Sequence, residues 1–426
     1  MLETLRLTDF RGFEDYSISF RSGINLLIGD NGSGKTSVIR AVVLTMNSFF
    51  KSFSDENTSC SGVAKADFRH HVSNESKSLT RPVGIFFKNR GMEHEIGIVR
   101  KSMKKSSTTY QNATEYNRRN RDLYHTIANE DGADRHTPLP LFCYFATDDI
   151  HTKVGGISEK AFKDYYLSPS FGYYYALKGG FLAKYWIRRL LVLAEGGKSE
   201  DEVQIVKDAI LSVLGINGCG IVNSVDVRPK QGFVYFVLAD GREVRFEDLS
   251  DGYVRLVNTV MDIAFRCAIL NRTLYGMNTC KETAGMVCID EIDDHLHPSL
   301  QSKVLKALHH AFPQLQFVVS THAPMVMTSV DDSVENIVYR LDYRDGEYRN
   351  EQILTYGLDA STIIKTYLHQ QDKDSEVQQM LDRLFELIDD EDLEQAKRLL
   401  NDLEQRFSER LPEIARARTL LTFYDN

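Results

Sequence analysis

No stretch of this chain approaches the roughly 18 consecutive apolar residues that a membrane-spanning helix needs. Its six cysteines, at 60, 143, 219, 267, 280 and 288, form no C-x-x-C spacing, and several sit in apolar runs. That argues against a zinc site or a disulfide framework and for reduced, buried thiols. Positive charge is not in excess. Lys and Arg number 51 against 60 Asp and Glu, a formal net charge of −9. No overall basic field draws such a chain to nucleic acid or a membrane surface, although a local basic groove stays open. Internal repeats of solenoid period and sustained coiled-coil heptads are both missing. The first ten residues alternate apolar and polar like a strand, so no leader peptide and a cytoplasmic location are expected. At 426 residues the chain is long enough for two or three domains with large cores.

What the chain does carry is a pair of segments far apart in sequence. The first, Gly29-Asp30-Asn31-Gly32-Ser33-Gly34-Lys35-Thr36-Ser37, matches the phosphate-binding pattern G-x-x-x-x-G-K-[ST]. It follows an apolar strand, Ile24 to Ile28, and precedes a helical stretch, Ser37 to Met46. Small residues let backbone N–H groups close around phosphate oxygens, and the helix start adds partial positive charge. Asn31, Gly32, Gly34, Lys35, Thr36 and Ser37 are therefore candidate contacts to ATP. Lys35 is suited to the β and γ phosphates, and the Thr36 hydroxyl to Mg²⁺. The second segment, Met286-Val287-Cys288-Ile289-Asp290-Glu291, is an apolar strand ending in two acids. Asp290 suits the Mg²⁺ shell, and Glu291 suits the polarisation of an attacking water.

Between these motifs the chain reads as follows. A hairpin is expected from Val83 to Phe87 and Ile96 to Val99. Residues 101–137 are polar, with Lys101, Lys104, Lys105, Arg118, Arg119 and Arg121, and read as a solvated loop or a basic lip. Leu139 to Ala146 is a buried strand. An aromatic-dense segment includes Tyr165, Tyr166, Phe171, Tyr173 to Tyr175, Phe181, Tyr185 and Trp186. It reads as a packed helical core or as a platform for nucleic-acid bases. Helices are expected near 181–195 and 199–214. A hairpin turns at Asp240-Gly241 and leads into Leu249-Ser250-Asp251-Gly252 and a long helix to about Leu270. A strand from Gln316 to Val319 precedes His322, and a last hairpin turns at Asp345-Gly346. From residue 359 the chain is helical and charged, with apolar stripes through Leu381, Leu384 and Ile388 and through Ala396, Leu400 and Leu403. A helix pair cannot bury both stripes unaided, so one face is expected to pack on the ATPase domain or another subunit.

Leu249-Ser250-Asp251-Gly252 resembles the L-S-x-G signature of ABC-type ATPases, and it stands in that family's order, between phosphate loop and acid strand. His322 resembles the family's switch histidine. Asp294-His295-Leu296-His297-Pro298 resembles the dimer-contact loop of the RecF/SMC/OLD branch, and the opening Phe10-Arg11-Gly12-Phe13 is similar to that branch too. The resemblance covers 1–50 and 230–345 well and the middle poorly. It implies an α/β fold, a P-loop NTPase of ABC-ATPase type with mixed β-sheets and helices. An ATPase domain would span 1–345, with a small helical insertion at about 155–225, and a helical C-terminal extension would span 346–426. It also implies an ATP-sandwich dimer in which Ser250 and Gly252 of one copy face the γ-phosphate held by the other, with Glu291 and His322 catalytic. The branch's loop glutamine has no counterpart near Tyr144 to Asp149. Asp148 or Asp149 takes its place or the loop differs, and no residue is assigned.

The insert between the nucleotide motifs is compact, unlike the long coiled coil of the branch's chromosome-structural members. The chain is most similar to stand-alone ATPases of bacterial anti-phage systems, Septu-type and retron-associated. That resemblance implies an ATP-hydrolysing regulator that controls a separate nuclease or toxin encoded nearby, with its own copies as further partners and no membrane partner. A RecF-like DNA-binding repair ATPase is the alternative, which would add nucleic acid as a partner.

Overall fold

A computed structural model of the chain describes residues 1–53, 58, 60–69, 81–104, 107–129, 136–147, 168–180, 182–196, 200–368, 375–407 and 411–424. Lys105, Asp148, Asp149, Tyr165, Tyr166 and Phe181 lie outside the described residues. The chain forms two compact units, Met1–Leu358 and Asp359–Asn426.

The first unit is built on two large sheets. One is antiparallel and has five strands in the order β2-β1-β4-β5-β6. Its strands are β1 (Leu2–Phe10), β2 (Phe13–Ser19), β4 (Val83–Asn89), β5 (Ile96–Arg100) and β6 (Thr109–Gln111). The other has six strands in the order β14-β13-β3-β12-β11-β7. It contains β3 (Ile24–Ile28), β7 (Leu141–Phe145), β11 (Gly285–Ile289), β12 (Leu315–Ser320), β13 (Ile337–Arg344) and β14 (Glu347–Ile353). All neighbours in this sheet are parallel except the β13–β14 hairpin. Strands β3, β11 and β12 are buried along their whole length. This is why they read as continuous apolar runs rather than alternating ones.

Helix α1 (Lys35–Phe49) shares one apolar core with both sheets. Val38, Ile39, Ala41, Val42 and Val43 are each 0% exposed, on more than one helix face. A helix apolar all round must be covered all round. Each buried Val or Ile here contributes roughly 1.5–3 kcal/mol relative to exposure. That burial anchors the helix whose first turn forms part of the phosphate loop. A third sheet, β10-β9-β8, joins β8 (Val222–Arg228), β9 (Phe233–Leu238) and β10 (Glu243–Arg245). The expected hairpin is β9–β10. Strand β8 was not anticipated, because its exposed Asn223, Ser224 and half-buried Asp226 dilute the apolar alternation.

Two expectations need correction. Residues 101–137 are not a plain loop or lip, since they contain β6 and a helix, α2 (Thr114–Asn129). Its inner stripe runs Ala113, Tyr116, Asn120, Leu123 and Ile127, buried or half-buried. The asparagine and tyrosine in that stripe hid the helical period. The expected domain boundary after residue 345 falls inside the β13–β14 turn, and pairing from Val338 to Ile353 keeps β14 in the first unit. The described part of the insertion comprises helices Ala183–Gly196 and Glu200–Leu214, as expected. Phe171, Tyr173, Tyr185 and Trp186 are buried there, so these aromatics are core and not a base platform.

The second unit holds helices Ser375–Asp389, Leu393–Phe407 and Pro412–Tyr424. Leu381, Leu384, Ile388, Ala396, Leu403, Ile414 and Ala417 form one core among them. The third helix, rather than the ATPase domain or another subunit as expected, covers the stripes of the first two. Among the described residues, no helix is long and apolar enough to cross a membrane.

Candidate functional site

Parallel order brings three strand ends side by side. Strand β12 lies between β3 and β11. The phosphate loop after β3, His322 after β12 and the acid pair after β11 therefore share the carboxyl edge of one sheet, where α/β folds bind ligands. The loop takes φ values of 140°, 83° and 98° at Gly29, Gly32 and Gly34, a conformation that side chains other than glycine strain to adopt. At Gly29 a Cβ would also lie 2.1 Å from the Leu341 carbonyl oxygen, because β13 runs directly alongside. Asn31, Gly32 and Thr36 are exposed, Gly34 and Ser37 are half-buried, and Lys35 is buried. The Lys35 ammonium donates to the carbonyls of Gly29 at 2.7 Å and Asp30 at 2.9 Å. Burial depresses its pKa to about 8, against the opposing pull of Glu291 and Asp290.

Asp290, 3% exposed, accepts a short hydrogen bond from the Ser320 hydroxyl. Ser320 Oγ also accepts from the Glu291 backbone N–H at 2.8 Å. Glu291 sits at φ 51°, a left-handed conformation uncommon for this residue type. Its carboxyl pKa is pushed up, first by burial and then by Asp290, Asp293 and Asp294. His322 Nε2 stands 4.0 Å from Glu291 Oε1. Its pKa is lowered by burial and then by Lys35, which keeps the ring neutral near pH 7. Asp293 accepts from the Thr321 hydroxyl at 2.5 Å and from the His322 N–H at 3.3 Å. The two loops are thus tied together at the tips of β11 and β12.

The signature segment is joined to this edge from the other side. Ser250 is exposed at the start of helix Asp251–Tyr275 and makes no side-chain cap bond. Gly252 is buried, and a Cβ there would lie 2.3 Å from the His295 carbonyl oxygen. One turn further on, Arg255 is 4% exposed. It donates to Asp294 Oδ2 at 2.7 Å and to the carbonyls of Asp290 and Glu291, both at 3.0 Å. Gly252 and Arg255 therefore set the start of this helix against the loop after the acids. Sequence reasoning missed Arg255, Ser320 and Asp293. The one readable signal was Arg255, a charge inside an otherwise apolar helix stripe. His297 has a structural duty, since its Nδ1 accepts from Ser299 N–H at 3.3 Å and caps helix Pro298–Ala311. Among the described residues no cluster of metal-ligating side chains forms at the two histidines or elsewhere.

The family match and the relatives below place this chain, with its phosphate-loop sequence, acid-ended strand, His322 and L-S-x-G segment on mixed sheets, among ABC-type ATPases of the RecF/SMC/OLD branch, near the anti-phage ATPases. The chain belongs to the family described as "AAA domain, putative AbiEii toxin, Type IV TA system", which matches residues 24–328. It is similar to "Retron Vc95 probable ATPase" of Vibrio cholerae serotype O1 biovar El Tor, 42% identical over 108 residues, 25% of this chain and 20% of that protein. It is similar to "Septu protein PtuA" of Bacillus mycoides (strain KBAB4), 33% identical over 112 residues, 26% of this chain and 15% of that protein. The match thus spans a fifth or less of these relatives' own length. An SMC head solved with the C-terminal winged-helix domain of ScpA aligns over 83% of this chain and 98% of that one, at 16% identity and a TM-score of 0.48.

Proposed function

We propose that this chain hydrolyses ATP with Mg²⁺ in a sandwich of two copies and uses that cycle to control a separate effector, a nuclease or toxin, in anti-phage defence. The observation that carries the reading is the split site. Lys35, Asp290, Glu291 and His322 converge on one edge, while the exposed Ser250 hydroxyl lies at a helix start tied to the loop beyond the acids. A signature so placed is suited to serve the phosphate loop of a second copy.

The residues present fit the implied ligands. The positive-φ glycines shape a turn in which backbone N–H groups can converge, and the hydrogen-bond partners of Lys35 among the described residues are neutral, the Gly29 and Asp30 carbonyls and the Ser33 hydroxyl, which phosphate oxygens outcompete. Thr36 and Asp290 are suited to hold Mg²⁺, which when bound would neutralise charge on the phosphates. Glu291, with its raised pKa, is suited to orient and deprotonate water, and neutral His322 beside it to hold that water or the γ-phosphate. Arg255 and Ser320 are positioning groups that hold the acid loop.

The test is Ser250→Arg in the full chain. It should bind ATP as a monomer, fail to dimerise in light scattering and lose turnover. Wild-type turnover from that variant would rule out the sandwich. A nuclease or toxin co-purifying from the native operon supports effector control, and its absence there counts against it. A RecF-like DNA-binding ATPase is the second reading, favoured by the exposed Arg118, Arg119 and Arg121 on α2.

A further inference from the structure

The first unit holds a cavity of about 470 Å³ at the amino edge of the six-stranded sheet, opposite the nucleotide motifs. It is lined by Met286 at the start of β11, by Met46 and Phe49 near the end of α1, and by Tyr116, Asn120 and Leu123 of α2. Helix α2 is pinned to the end of α1. The Ser48 and Tyr116 hydroxyls lie 3.3 Å apart, and Ser52 Oγ donates to the Asn117 carbonyl at 3.0 Å. The hollow therefore stands between fixed walls. Packed interiors leave few voids larger than a water molecule, and ligand clefts typically measure roughly 300–1,000 Å³. This one has the size of a cleft, not of a packing flaw.

The lining states what fits. Its apolar walls suit a flat, uncharged body. Among the described residues its charged side chains are two exposed arginines, Arg90 and Arg119, and no carboxylate lines it. Glu93 and Glu115 lie outside, in a smaller groove of about 200 Å³ that shares Arg119. Asn120 is 7% exposed. Its amide nitrogen makes no hydrogen bond of good geometry among the described residues, the Tyr116 hydroxyl being its polar neighbour. A buried donor left in this way is costly, so an acceptor is favoured beside it. Amide and guanidinium groups both offer donors, and two guanidinium groups favour an acceptor that is an anion.

We infer that this cavity is a second ligand site, for a small molecule with a flat apolar body and one anionic group. The body packs on Met46, Phe49, Leu123 and Met286, and the anionic end faces Arg90 and Arg119. Asn120 donates to an acceptor atom of the ligand from within. The site is separate from the nucleotide site, because helix α1 puts roughly 21 Å between Lys35 and Phe49 at its two ends.

The experiment titrates the full chain with two probes that share one aromatic body, anilinonaphthalene sulfonate and the uncharged phenylnaphthylamine. Fluorescence gives affinity, and calorimetry gives the stoichiometry of the sulfonate. Wild type should bind the sulfonate at a single saturable site. Leu123→Trp, which fills the cavity, should weaken both probes by about tenfold or more. Arg90→Gln combined with Arg119→Gln changes only exposed residues and should leave folding intact. It should weaken the sulfonate by about tenfold and leave the uncharged probe unchanged. Lys35→Ala should alter neither probe. Absence of a saturable site in wild type overturns the proposal, as does full sulfonate affinity in Leu123→Trp. An equal loss of both probes in the arginine variant overturns the anionic specificity. Loss of the sulfonate in Lys35→Ala also overturns the proposal, since the dye would then sit at the phosphate loop. If Leu123→Trp does not fold, the contrast between the two probes in the arginine variant decides alone.

Discussion

Two charge-dense regions on one helix, Asp251–Tyr275, serve opposite ends. Near its middle, Asp262 accepts from Trp186 Nε1 at 2.5 Å and from Arg266 Nε at 2.6 Å. Arg266 donates on to the carbonyls of Gly172 at 2.7 Å and Tyr174 at 2.9 Å. Arg266 is 1% exposed. This network ties the segment around residues 172–186 to the signature helix and draws its value from being closed. At the helix's first turn, Arg255 reaches the acid loop, where partners are deliberately mismatched. Asp290, Glu291, Asp293 and Asp294 crowd together, with Lys35 and Arg255 as nearby cations. Burial there pushes the Glu291 and Lys35 pKa values toward the neutral forms. A closed network stabilises; an open one of raised energy is available for chemistry.

The comparison predicts different costs for breaking each. Arg266→Ala leaves Asp262 buried without its ion partner and should destabilise the first unit by about 3–5 kcal/mol in urea unfolding. Replacing both members, Asp262→Leu with Arg266→Met, should recover most of that loss, because apolar side chains remove the desolvation cost of two buried ions. A double variant as weak as the single one would mean that the carbonyl bonds of Arg266, not the charge pair, matter most.

Glu291→Gln should keep the fold and ATP binding while lowering turnover by about a hundredfold or more. It should also lengthen the life of the ATP-bound dimer, readable by light scattering. Normal phosphate release from this variant would place the base elsewhere. Lys35→Ala should abolish tight ATP binding in the same calorimeter, with the fold retained.

The smallest effect concerns pH. Glu291 has a folded-state pKa above its ordinary value of 4.5. The folded chain then holds a proton that the unfolded chain has released, so its contribution to stability is present below about pH 4.5 and is lost as pH rises through the folded pKa. In metal-free buffer Glu291→Gln should therefore raise the Tm at pH 7, with the gain shrinking toward pH 4.5. A constant difference across that range would show that the acid's burial and neighbours do not act through its charge.

Much of the site was legible because it depends on residue type at short spacing. Lys35 and Thr36 follow glycines that only a tight loop needs, and Asp290 and Glu291 end a run too apolar to be a surface strand. Helix α2 was illegible because one inner position is Asn120 and another Tyr116, which periodicity reads as outward. The C-terminal stripes were visible, but which helix covered them was not, since Ile414 and Ala417 sit on a helix with a weak apolar pattern.

The sequence by itself determined the local chemistry: a loop that turns only with glycine, a lysine and hydroxyl beside it, two acids closing an apolar strand and a histidine closing another. Only the tertiary structure decided which of these meet. Strand order puts β12 between β3 and β11 and so sets His322 beside Glu291. It also brings Arg255 to the acid-loop carbonyls, 35 residues on, and Tyr348 to Gly12 and Gly34, more than 300 residues back. Contacts across such separations depend on hydrogen-bonded register and shared burial, which no short window of sequence encodes.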